Sequence, residues 1–154
     1  MRRLLHILAQ ACSVLLHPLF MPTYGMVLFC SGIGHLNTKL PLAYTILAVI
    51  GTLFFTFFVP AAGIWYLWKT KRIDSLQINN PKQRTVPYIS TIMAYAFWIY
   101  FLHFLLRLPA FMSIVAIGAI IALVVVTLTN LKWKISAHLT GIGGLLGGVC
   151  SFAL

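Results

Sequence analysis

Residues 41–68, PLAYTILAVIGTLFFTFFVPAAGIWYLW, carry no charged side chain. A run of this length can cross a hydrocarbon core of about 30 Å as a helix. It lacks the alternation of apolar and polar residues that a barrel strand requires. Pro41 suits a helix start, and Trp65, Tyr66 and Trp68 form an aromatic belt at its far end. Pro60 lies inside the run and predicts a kink. The stretch sets the fold class: an all-α, multi-pass helical membrane protein.

The surrounding chain agrees with that reading. Of 154 residues, 61% are hydrophobic and 8% are charged, and the mean hydropathy is +0.99. A soluble domain carries about a quarter charged residues. Working outward, the expected spans are 11–34, 41–68, 87–106, 109–131 and 136–154, five in a single membrane domain covering 1–154. Before them, MRRLLHILAQAC has too short and too interrupted an apolar core for a cleaved signal peptide. Residues 3–16 read as a short helix at or entering the membrane, broken by His17-Pro18 and Met21-Pro22. His17, a histidine before proline at a break, reads first as structural. Residues 69–86 are the one long polar stretch and are expected to be a basic loop, and Arg107-Leu108-Pro109 is expected to be a tight connection.

Charge sets the topology and narrows the chemistry. Lys and Arg total 11 against one acid, Asp74, for a net charge of +10. With five spans, nine of the basic residues fall on one side with the N-terminus, and only Lys39 and Arg107 on the other. The positive-inside rule places the nine in the cytoplasm. Removing Lys82, Arg84, Lys132 and Lys134 as candidate phosphate ligands still leaves five against two. The distribution indicates anionic lipid head groups as partners and no nucleic acid. One carboxylate in the chain argues against paired-carboxylate catalysis and acid-rich Mg²⁺ sites. Cys12, Cys30 and Cys150 have no metal-site or disulfide spacing and read as packing residues. No metal or other cofactor is expected.

The densest chemistry is in residues 132–144, KWKISAHLTGIGG. Ser136 falls at the start of a predicted helix and His138 in its first turn, beside Lys132 and Lys134. Free N–H groups, the helix dipole, a hydroxyl, an imidazole and two ammonium groups make a cradle for phosphate. The plain alternative is that the lysines mark the membrane surface and Ser136 caps the helix. Gly143, Gly144, Gly147 and Gly148 give two overlapping G-x-x-x-G spacings, a packing signal that offers a route to homo-oligomers. The hairpin from Pro87 to Leu131 returns this segment to the face that holds Lys82 and Arg84. Guanidinium and ammonium groups meeting a helix N-terminus suit a phosphomonoester or diphosphate.

KRIDSLQINNPKQRTVPY, followed by WKISAH, resembles the first two motifs of the type 2 phosphatidic acid phosphatase (PAP2-like) superfamily, and HPLFMPTYG is similar to the opening of its small bacterial members. The resemblance implies membership of a multi-pass bacterial inner-membrane family. It implies that Arg84 binds phosphate, that Ser136 contacts it, and that His138 protonates the leaving group. Lys82 stands in for a motif lysine, whose position is occupied by Gln77, and Pro87 is the nearest proline after Arg84. Ile135 and Ala137 replace the proline and glycine of the second motif. The third motif, with the nucleophilic histidine and its orienting carboxylate, has no counterpart, because no histidine follows His138 and no acid follows Asp74.

Three functions stay open on the sequence. The first is a phosphatase of a phosphorylated lipid, an isoprenoid diphosphate or phosphatidate-like molecule, acting through a phosphohistidine whose nucleophile lies beyond this chain; the chain as given is then inactive. The second is a non-catalytic protein on the same scaffold that binds phosphorylated lipid or a partner helix. The third is an unrelated small multi-pass protein, a transporter subunit or a haem anchor using His6, His17, His103 or His138.

Overall fold

The computed structural model describes residues 2–32, 40–72, 81–130, 132–133 and 135–153, with side chains for 5–8, 12–32, 40–72, 86–130, 132–133 and 135–151. All regular structure among the described residues is helical. Helix α1 (Arg2–Leu15) leads through a 3₁₀ turn, Pro18–Phe20, into α2 (Met21–Cys30). Helices α3 (Leu42–Leu53) and α4 (Val59–Lys69) are joined by a π-helical turn, Phe54–Phe58. Helix α5 (Pro81–Tyr100) ends in a second π-helical turn, Phe101–Leu105, and α6 (Ala110–Asn130) and α7 (Ala137–Ala153) follow.

Among the described residues, three helices are long and apolar enough to cross a membrane: Leu42–Lys69, Val86–Leu105 and Ala110–Asn130. Leu5–Leu15 and Pro18–Cys30 qualify together as one segment bent by 41°. In the most apolar window of Leu42–Lys69 only 17% of residues are buried within the protein. Leu47, Ile50, Phe54 and Phe58 are among its exposed residues, a surface that lipid covers at far lower cost than water. Trp65 and Tyr66 are also exposed, and Lys69 Nζ lies 5.1 Å from the Trp65 ring, as an interfacial cation–π pair does.

The core sits where α2, α3, α5 and α6 meet, around Met26, Phe29, Ala48, Tyr95, Trp98, Leu102 and Met112. One polar link ties α3 to α5 within it. Trp98 Nε1–H donates to Thr52 Oγ1 at 2.9 Å, and that hydroxyl donates to the Ala48 carbonyl at 2.6 Å. Gly51 lets Phe101 pack against α3, because a Cβ there would overlap the Phe101 ring.

The kink expected at Pro60 takes the form of the π turn just before it. A proline supplies no N–H and its ring crowds the carbonyl four residues earlier, and a widened turn relieves both. Val59 N–H donates to the Phe54 carbonyl in this turn. Residues 69–86, expected as a loop, are helical from Pro81 onward, so Pro87 lies inside α5 rather than at its start. The tight turn at residues 107–109 is closed by Leu108 N–H donating to the Leu102 carbonyl, with Arg107 at φ 49°. Cys30 packs beside the core, whereas Cys12 and Cys150 are exposed and fill no interior space.

Candidate functional site

The site begins with the break after α1. His17 is extended, as a residue before proline prefers, and its Nδ1 accepts the Leu19 N–H at 3.3 Å. The turn is fastened to the π segment by two contacts. Phe20 stacks on Phe57 with centroids 4.3 Å apart, and Thr56 Oγ1 lies 3.2 Å from the Leu19 carbonyl while donating at 2.8 Å to Thr52. Tyr24 O–H donates to the Leu15 carbonyl at 2.9 Å and satisfies the end of α1.

Helix α7 is set against this turn by a glycine. A Cβ on Gly141 would lie 3.1 Å from Pro18 Cβ and 3.2 Å from both Pro18 Cα and Met21 Cγ. One helical turn earlier, His138 meets His17 edge to face, with centroids 5.6 Å apart and planes at 76°. His138 Nε2 is 3.3 Å from the Ser13 carbonyl oxygen and donates to it, a contact spanning 125 residues. Ser136 precedes α7 and is exposed; its Oγ accepts the Leu139 N–H at 3.4 Å, a long cap bond.

Below the two imidazoles lies a cavity of about 1380 Å³. Ser13, His17, Ser136, His138 and Thr140 form its polar end. The wall beyond them is mostly apolar, drawn from α2, α5, α6 and α7, and includes Met26, Trp98, Ala119 and Leu145. From Val126 to Met112 on α6 the lining extends about 21 Å at 1.5 Å per residue, most of the way through a hydrocarbon core.

His138 and Ser136 therefore stand together at the mouth. Lys82 and Arg84 lie in the first turn of α5, just before Pro87 and Tyr88, which also line the cavity. Their backbone is at the same end of the bundle, and their side chains lie outside the described residues, as does Lys134 altogether. Lys132 is exposed on the connection before α7. His17, first read as a structural histidine, caps the turn and also faces the site. Its signal in the sequence was the His-Pro break, which marks a fixed turn without saying what that turn faces.

The glycines of α7 divide differently from the spacing rule. Gly141 and Gly148 face Pro18 and Phe29, while a Cβ on Gly143, Gly144 or Gly147 would meet nothing within 4 Å. Gly144 and Gly147 line the cavity and keep it open. His103, at the other end of the bundle, lies 3.4 Å from Ser113 Oγ, and among the described residues no group of three metal-ligating side chains occurs. No protein-family model matches this chain, and no curated protein or solved structure matches it either.

Proposed function

We propose that this protein binds a phosphorylated long-chain lipid inside the membrane, with the hydrocarbon chain in the cavity and the phosphate at the mouth. The observation that carries this reading is the cavity, mostly apolar along its length, with a polar cluster at one end where His17, His138 and Ser136 meet. An amphiphile matches that division of polarity. The backbone of Lys82 and Arg84 at the same end supports an anionic head group. An isoprenoid phosphate and a phosphatidate-like lipid both fit the description.

On this reading α1–α2 and α7 are the first and fifth spans of a multi-pass protein of a bacterial inner membrane. Helix α7 has 17 residues and a length of about 25 Å, which suits a short or thinned crossing. Phosphoester hydrolysis is the second reading, favoured by the position of His138 at the mouth, where it reaches a departing lipid oxygen. That chemistry needs a nucleophile beyond the residues matched to the phosphatase motifs.

The test is titration of the full chain, in phosphatidylcholine nanodiscs, with monododecyl phosphate while free phosphate is measured. Saturation at one lipid per chain, weakened by His138→Ala, supports the binding reading. Phosphate release that His138→Ala abolishes moves the assignment to the enzyme. Non-saturable uptake, equal in wild type and variant, removes both.

A further inference from the structure

The two imidazoles at the mouth have fixed and opposite roles. Leu19 N–H can only donate, so the His17 Nδ1 that accepts it carries a lone pair, and the proton of the neutral ring sits on Nε2. The Ser13 carbonyl can only accept, so His138 Nε2 carries the proton and Nδ1 the lone pair. His17 thus has an N–H left to offer, and His138 an acceptor. Neither His17 Nε2 nor His138 Nδ1 has a hydrogen-bond partner among the described residues, and both rings line the cavity.

We propose that His17 is a head-group ligand and that, with His138 in the opposite tautomer, it takes up the lipid phosphate together with a single proton. This rests on the lipid phosphate reading and adds a residue and a proton count to it. One phosphate oxygen accepts from His17 Nε2–H. A second carries a proton shared with His138 Nδ1, whether that proton arrives on the phosphate or on the ring. A fully ionised monoester has only acceptors and would set an oxygen lone pair against that of Nδ1, leaving both unsatisfied. A phosphodiester brings no proton of its own, so its complex draws that one proton onto His138 from solution.

The sign of the pH dependence follows. A phosphate monoester loses its second proton near pH 6, so above that the complex must draw its proton from solution, and affinity falls as pH rises. Attraction by the surrounding Lys and Arg alone would give the reverse, because the dianion is bound better than the monoanion. The other titratable groups on the cavity wall are Tyr88 and Tyr95 of α5; Lys132 precedes α7, and no described carboxylate faces the site.

The experiment is calorimetry of the full chain in phosphatidylcholine nanodiscs with monododecyl phosphate and with its methyl ester, between about pH 6.5 and about pH 8.5, in buffers of different ionisation enthalpy. The expected result is about one proton taken up with the monoester at the alkaline end, its affinity falling toward about tenfold per pH unit, and a comparable uptake with the methyl ester, whose proton comes only from solution. A monoester affinity that is flat or rises with pH, or a methyl ester bound without proton uptake, overturns the one-proton pair and leaves the lipid phosphate reading in place. Failure of both compounds to bind overturns that reading, and the proton pair with it.

Discussion

Gly141 is the residue through which α7 reaches the Pro18–Phe20 turn, and replacing it tests how the mouth is built. An alanine there would place its Cβ 3.1 Å from Pro18 Cβ and 3.2 Å from Pro18 Cα and Met21 Cγ. Carbon contacts are most favourable at about 3.5–4.0 Å, so the turn or the helix must retreat by a few tenths of an ångström. Overpacking of this kind costs about 1–3 kcal/mol. Ala also gains about 0.5–1 kcal/mol over Gly inside a helix, which hides part of that cost. Gly143→Ala is the matched control, because it lies on the same helix and its Cβ would meet nothing within 4 Å. The propensity term cancels between the two variants, so Gly141→Ala is expected to be less stable than Gly143→Ala by about 1–3 kcal/mol. Reversible unfolding by sodium dodecyl sulfate in mixed micelles, followed by Trp fluorescence, reads the difference. Equal stabilities, or a more stable Gly141→Ala, would refute the close approach of α7 to the turn.

Three further substitutions probe what supports the site. Gly51→Ala sets a Cβ against the Phe101 ring and should destabilise the α3–α5 contact by about 1–3 kcal/mol; Phe101→Leu in the same chain should recover part of it in a double-mutant cycle. Thr52→Val leaves the buried Trp98 Nε1–H without its acceptor and should cost about 1–3 kcal/mol, with the indole emission changed. Ser136→Ala removes a long cap bond and should cost only about 0.5 kcal/mol, at the low end for caps. Its effect on the affinity for monododecyl phosphate should exceed its effect on unfolding, and the reverse order would reduce Ser136 to a cap.

The spans were the most legible feature, because uninterrupted apolar length is itself the physical requirement for crossing a bilayer. Residues 41–68, 87–106 and 109–131 correspond to Leu42–Lys69, Val86–Leu105 and Ala110–Asn130. The beginning of α5 was less legible. Both Pro81 and Pro87 can open a helix, and the polar residues between them carry no apolar period to show that the helix has already begun. His138 and Ser136 were visible as a helix start with a hydroxyl and an imidazole. The partner of His138 was not visible, since His17 reaches it through a contact of distant segments made possible by Gly141. The glycine spacing was legible as a pattern only. Which glycines touch a neighbour depends on the rotation of α7, and that is set by Pro18, Met21 and Phe29.

The most direct test of the account is to find where a bound lipid phosphate lies along α6. One set of α6 residues, Ala119, Ala122, Leu123 and Val126, lines the cavity, while Ile117, Ile121 and Val125 are exposed on the outside of the protein. A long-chain alkyl phosphate with a mid-chain diazirine, photolysed with the full chain in nanodiscs and mapped by peptide mass spectrometry, distinguishes the two sets. The account predicts adducts on Ala119, Ala122 and Leu123 that excess monododecyl phosphate removes. Adducts confined to Ile117, Ile121 and Val125, unaffected by competitor, would place the lipid in the surrounding bilayer and contradict an internal site.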